Sequence, residues 1–216
     1  PEGTVFVAVV DPGVGASNRD ILVLDGGGFT FVGPDNGILS LVLENLAVSG
    51  AAARVWRLKG PFASQAEFSG LTFAGRDIMA PLAARLCRGE TPDKIGEPVA
   101  AELLVRPIWA IPERTDQGVL ASALHVDHFG NVILNLSNQT WAKRLASGDV
   151  WLMMASAGAQ AALQLKLEPA YAELTPGKVG LVPGGQGYLE LAMYQASAAD
   201  ELSLKTGDLV QLGTSR

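Results

Sequence analysis

Five short segments of the chain concentrate the side chains able to do chemistry. Asp11 follows the apolar run Thr4–Val10 and opens the turn Pro12-Gly13-Val14-Gly15. A carboxylate there stands beyond the carboxyl end of a strand, where open α/β sheets bind ligands. The same residues also spell an Asx-type turn in which Asp11 accepts backbone N–H groups, and both readings stay open. The run Asp127-His128-Phe129-Gly130-Asn131 groups an acid, an aromatic ring and an amide between two predicted strands. An amide donates to and accepts from one purine edge at once, and a nearby ring can stack on the base. A β-turn with glycine at a positive φ accounts for the same letters equally well.

Two further segments read first as structure. Phe31-Val32-Gly33-Pro34-Asp35-Asn36-Gly37 is explained by a turn and a helix cap, and Arg76-Asp77, after Leu71–Gly75, by a pair or a cap. The fifth, Gly184-Gly185-Gln186-Gly187, has no Gly-Lys-Ser/Thr after it and so is not a phosphate loop. Gly26-Gly27-Gly28 lacks the pattern of a dinucleotide fingerprint, and no Gly-x-Ser-x-Gly elbow occurs. His125 and His128 are three apart, which on a strand puts them on opposite faces, so no metal is expected. Cys87, between Leu86 and Arg88, reads as a small core residue rather than a nucleophile.

The elements that must position these groups follow from periodicity. Thr4–Val10, nearly all apolar or β-branched, predicts a strand of a parallel sheet buried on both faces. Arg19–Leu24 and Phe29–Val32 flank Gly26-Gly27-Gly28 as a hairpin. Leu39, Val42, Leu43 and Leu46 recur at helical spacing behind Asp35 or Asn36 as caps, and a short strand follows over Val55–Leu58. A second helix is expected over Asp77–Arg88, with Ile78, Leu82 and Leu86 on one face, Pro81 in the first turn and Gly89 as the stop. Character changes after Ile111. Residues 112–118 predict a linker between an α/β N-terminal domain, 1–111, and a C-terminal domain, 119–216. Strand-like runs at 120–126, 132–136, 150–154, 163–167, 179–182, 188–193 and 209–212 make the latter a small antiparallel barrel or sandwich.

Composition limits the function classes. The chain has 216 residues, 48% hydrophobic and 18% charged, with a net charge of −6, which fits a folded acidic globule and excludes disorder. No apolar run reaches the ~18 residues of a membrane span. A lone cysteine and the lack of a leader before the first strand point to the cytoplasm. Without a Lys/Arg cluster, nucleic acid is not an expected partner. Because Pro1 stands so close to the first strand, earlier sequence elements are expected to belong with this fold.

Taken in order, Val-Val-Asp-Pro-Gly-Val-Gly at 9–15, Phe-Val-Gly-Pro-Asp-Asn-Gly at 31–37, Thr-Phe-Ala-Gly-Arg-Asp-Ile at 72–78, Asp-His-Phe-Gly-Asn at 127–131 and Gly-Tyr-Leu-Glu-Leu-Ala at 187–192 resemble one family. It is the S-adenosyl-L-methionine hydroxide adenosyltransferases, relatives of the fluorinases and chlorinases. The resemblance implies an α/β domain with its sheet between helices, then a β-barrel, in a homotrimer whose site lies between copies. It implies no cofactor: S-adenosyl-L-methionine is the substrate, cut by water at ribose C5′ into adenosine and L-methionine. It assigns catalysis to Asp11 and Arg19, and substrate contacts to Phe73, Asp127, Phe129, Asn131 and Gln186.

Three departures bear on rate. The family's catalytic arginine aligns with Asn18, one place before Arg19, and a one-residue offset on a strand reverses a side chain's direction. The family's histidine is Ala74, and a lost proton-transfer group typically costs ~10²–10⁴ in rate. Gly184-Gly185 replaces an Asn-Ser pair expected at the methionine carboxylate. An impaired hydrolase and a non-catalytic adenosine or S-adenosyl-L-methionine binder are therefore both carried forward. Halogenation is disfavoured, because a carboxylate at residue 11 about 4 Å from a halide opposes it by ~4 kcal/mol at an effective dielectric of 20.

Overall fold

The computed structural model describes residues 1–12, 20–59, 73–116, 118–145, 150–154 and 162–214. Contacts divide the chain into two units, Pro1–Pro107 and Ile108–Arg216. In the first, a five-stranded sheet runs in the order β1-β3-β2-β4-β5. These strands are β1 (Val5–Val7), β2 (Ile21–Gly26), β3 (Phe29–Pro34), β4 (Ala53–Leu58) and β5 (Gly96–Val99). Only β1 and β3 pair in parallel; the rest are antiparallel. Gly27 and Gly28, at φ +61° and +82°, turn the β2–β3 hairpin in the left-handed conformation that matches strand twist.

Alternation along β2 builds the layers. Ile21 and Val23 join Val32, Trp56, Met79, Leu82 and Ile95 on one side, while Leu22 and Leu24 join Leu39, Leu43, Leu46 and Val55 on the other. Helix α1 (Ser40–Ser49) covers the second side and α2 (Ala80–Cys87) the first. The sheet is thus sandwiched between helices, as the α/β expectation required.

Three local expectations are corrected. The Thr4–Val10 run yields only three strand residues, and Phe6, Val9 and Val10 are 47%, 56% and 61% exposed rather than buried. The reason is position: β1 is the edge of the sheet, so one side has no neighbouring strand among the described residues. Neither Asp35 nor Asn36 caps α1, whose N-cap is Leu39 without a side-chain bond. Those polar groups are engaged elsewhere, Asp35 Oδ1 accepting from Val105 N and Asn36 Oδ1 from Ile38 N. The second helix starts earlier than Asp77, as a π-turn over Gly75–Met79 in which Ala80 N donates to Gly75 O. That wider turn leads into α2 with Pro81 in its first turn, where a missing N–H goes unnoticed. Gly89, at φ +87°, follows the helix as its stop.

The second unit is an antiparallel sheet in the order β10-β9-β13-β7-β8-β12-β11, with β6 (Glu113–Thr115) also on β7. Its strands are β7 (Gly118–Val126), β8 (Val132–Ser137), β9 (Val150–Met154), β10 (Leu163–Leu165), β11 (Val179–Pro183), β12 (Tyr188–Met193) and β13 (Leu209–Thr214). Beyond β10 the chain meets β11 through a Leu167–Leu181 bridge and a 2.8 Å bond from Leu181 N to Lys166 O, which brings the sheet nearly round to a barrel. Val119, Ala121, Leu134, Leu136, Leu189, Leu191, Val210 and Leu212 fill its interior, and α3 (Asn138–Leu145) and α4 (Ala198–Leu202) add Trp141 and Leu202. The segment expected as a linker contains β6, an exposed strand in register with Val119 and Leu120, and the units divide at Pro107 instead. Its charges suit an edge strand as well as a tether, which is why composition misled.

Candidate active site

In the first unit, three of the motifs meet around the end of β1. Asn36 Nδ2 donates to Val10 O at 2.8 Å, fixing the peptide just before Asp11. Gly75 lies against Val9, leaving no room for a side chain. Ala8 N donates to Val32 O at 2.8 Å. The described parts of the three motifs thus meet at the peptide before partly buried Asp11 through backbone and glycine contacts at Val9, Val10, Asn36 and Gly75. Phe73 is 52% exposed, and the Arg76 guanidinium lies 4.4 Å from its ring centroid. Arg76 is committed to Asp77 through bonds of 2.6 and 2.9 Å, as the structural reading of that pair expected. Ala74 packs its methyl against the cluster holding Met79 and Leu82, so that position offers no proton-transfer group. Arg19, Asn18 and Val14 lie outside the described residues.

The second unit contains a cleft of ≈ 670 Å³ lined by Asp127, Phe129, Asn131, Tyr171, Met193, Gln195, Ala196 and Ser197. Its rim is the tight loop between β7 and β8. Asp127 Oδ1 accepts from the N–H groups of Phe129 and Asn131, both at 2.9 Å, and Oδ2 from Asn131 Nδ2 at 3.0 Å. Gly130, at φ +84°, closes the turn through a 3.0 Å bond to Asp127 O. The turn reading of this loop is borne out, and the turn fixes where the amide and the ring stand at the cleft. Phe129 is 68% exposed, while Asn131 is 8% exposed. His128 stacks obliquely on Phe129 at 3.8 Å between centroids.

Burial pushes the Asp127 carboxyl up, but the hydrogen bonds from Asn131 and Phe129, with His128 nearby, outweigh it and leave the group below its ordinary value. A depressed folded value means that the loop's stabilisation is present above the unfolded value, about 3.9, and is lost as pH falls through the folded one. The loop's contribution to thermal stability, followed calorimetrically, is expected to be flat with respect to Asp127 from pH 8 to 5 and to weaken only below about pH 4. A titration centred near neutrality that persists in His128→Ala would contradict this.

Gln186 sits exposed at the tip of the β11–β12 turn, where Gly187 N donates to Gly184 O, and is not among the cleft's lining residues. Gly184 is glycine for a reason visible here: a Cβ would stand 2.6 Å from Glu190 Cδ. The sequence reading missed Tyr171, Met193 and Gln195–Ser197 as lining residues. Only Gln195 is unusual in backbone, at φ +52°, and nothing in its letters shows that. Among the described residues no cluster of His, Cys, Asp and Glu could hold a metal ion.

The N-terminal domain of the SAM hydroxide adenosyltransferases matches residues 1–96, and the C-terminal domain of the same family matches residues 121–211. The chain belongs to that family. A Thermus thermophilus relative named (R)-S-adenosyl-L-methionine hydrolase is 32% identical over 98% of this chain and 76% of its own. A relative of the same name from Salinispora tropica is 34% identical over 96% of this chain and 74% of its own. The crystal structure of an uncharacterised conserved protein from Thermotoga maritima superposes with a TM-score of 0.74 at 28% identity, covering 99% of this chain and 78% of that one. The two matched stretches contain every residue singled out above as a family site: Asp11, Arg19 and Phe73 in the first, Asp127, Phe129, Asn131 and Gln186 in the second.

Proposed function

We propose that this chain hydrolyses S-adenosyl-L-methionine to adenosine and L-methionine, without a cofactor, as a cytoplasmic homotrimer with its site shared between copies. The observation that carries the proposal is the pairing of both family domains with a cleft whose rim presents Asp127, Phe129 and Asn131 together. No described helix is long and apolar enough to cross a membrane, which fits a small-molecule enzyme.

In this reading Asn131 and Phe129 hold the adenine, by its edge and by its face, and Asp127 binds the methionine amine with whatever acceptor capacity the loop leaves. Asp11 orients the attacking water. As the water oxygen bonds C5′, the C5′–S bond breaks and its electron pair returns to sulfur, giving neutral methionine thioether. The water proton passes to the Asp11 carboxylate and on to solvent. A sulfonium needs no acid to leave, so the protein's contribution is aim, desolvation and one proton. Arg19 is proposed to hold the Asp11 carboxylate or the water. With alanine at residue 74, turnover is expected to be slow relative to relatives that carry histidine there.

Incubating the chain with S-adenosyl-L-methionine and separating products by chromatography is expected to give equal amounts of adenosine and methionine. Tight calorimetric binding of adenosine with no adenosine formed above the uncatalysed rate would overturn hydrolysis, and a trimer-sized sedimentation coefficient tests the assembly.

A further inference from the structure

Strand β12 runs through the wall of the barrel, and Leu189 and Leu191 are fully buried in its core. Between them Glu190 is only 5% exposed, opposite Val182 on β11 and Ile133 on β8. A carboxylate so enclosed is costly unless something satisfies it. Its Oε2 accepts the Tyr171 hydroxyl at 2.6 Å, and the absent side chain of Gly184 is what leaves room for the carboxylate. Tyr171 lines the cleft, yet 43% of it is exposed. It belongs to a single 3₁₀ turn, Tyr171–Glu173, that the neighbouring Leu174 anchors through a small cluster with Val182 and Ala192. That anchor fixes the backbone of the turn but not the ring.

The geometry points to Glu190 as a positioning residue: by holding the Tyr171 hydroxyl from the barrel wall, on the side opposite Leu189 and Leu191, it fixes the aromatic wall of the nucleoside cleft, a role that rests on the function proposed above. The ring would otherwise choose among rotamers at the cost of side-chain entropy on binding, and a preset ring avoids that cost. The phenol is suited to the task because it stays a donor. Burial, then the Glu190 carboxylate, and finally the charge of Asp127 push its ionisation up to about 12. A carboxylate is the fitting partner because it only accepts, and such charge-assisted bonds are the short, strong ones.

The test is adenosine calorimetry on the full chain, well below its unfolding midpoint. Tyr171→Phe, which removes one oxygen, and Glu190→Ala are each expected to weaken adenosine binding by roughly 5–20-fold. The double variant is expected to be no weaker than either single one, because both cut the same bond. Glu190→Gln, whose carbonyl accepts from the same hydroxyl, is expected to bind within about threefold of the unaltered chain. A merely structural glutamate would lower the unfolding midpoint without moving adenosine affinity in Tyr171→Phe. Unaltered affinity in Tyr171→Phe overturns the positioning role alone, and if Glu190→Ala fails to fold, Tyr171→Phe and Glu190→Gln still decide. Failure of the unaltered chain to bind adenosine overturns the functional reading, and the positioning role with it.

Discussion

Asp11→Ala should lower the rate of adenosine formation by about 10²–10⁴-fold while adenosine itself binds within about threefold of the unaltered chain. The asymmetry follows from where the groups sit. Phe129 and Asn131, proposed above to hold the adenine, belong to the barrel, whereas Asp11 follows β1 of the other unit. Asp11→Asn separates the two tasks of the carboxylate. An amide of the same shape can still orient water but cannot take its proton, so most of the loss is expected to remain. Ala74 supplies no second proton acceptor at the position where relatives carry histidine. Single-turnover chromatography with saturating S-adenosyl-L-methionine reads the chemical step directly. Turnover in Asp11→Asn within threefold of the unaltered chain would remove Asp11 from the chemistry.

Gly130→Ala is expected to produce the largest loss on the binding side. At φ +84° an L side chain is strained, and a Cβ there would lie 2.5 Å from Ser197 Cβ and 2.8 Å from Ser197 Cα. Backbone atoms cannot rotate away, so the loop or the start of α4 must shift. Strain and overpacking together put the cost at roughly 2–4 kcal/mol of the barrel unit's stability. The contact also reaches the cleft, because Ser197 lines it and caps α4 by accepting from Asp200 N at 3.0 Å. Gly130 O accepts from Ala199 N at 2.9 Å, a second tie between the same two segments. Any relief therefore moves Phe129 and Asn131 relative to the opposite wall. Thermal unfolding should fall and adenosine affinity should drop at least tenfold at temperatures where the variant is still folded, the scale of one lost bidentate base contact. Gly185→Ala is the control. No atom lies within 4 Å of its added Cβ, so both readouts are expected to stay put. Equal behaviour of the two variants would mean that the turn at residue 130 does not set the cleft.

Much of the architecture was legible because hydrophobic period is a local property. Alternation placed each of the seven C-terminal strand runs where a strand is found, and Leu39, Val42, Leu43 and Leu46, at i, i+3, i+4 and i+7, pack in one cluster along α1 and its N-cap. The five motif segments also carried their own identity, since order and spacing along a chain survive any folding. Short or unusual elements were not legible. Glu113–Thr115 pairs with β7 although its letters read as a tether, and the π-turn at Gly75–Met79 has no periodic signature. The edge position of β1 was equally hidden: an apolar run announces burial, but which strands flank it is not written in it.

The order of residue types thus determined a two-part α/β and β-barrel chain, its family, and the candidacy of Asp11, Asp127, Phe129 and Asn131. Tertiary structure alone decided that Asp127 spends its oxygens locking the loop that aims Asn131, and that Gln186 stands on a hairpin tip. It also decided that Tyr171, nineteen residues before Glu190, is bound to it beside the same cleft. The division has one physical cause. Propensity and period act over neighbouring residues, whereas a cleft is made by side chains that only the closing of a sheet brings within hydrogen-bond range.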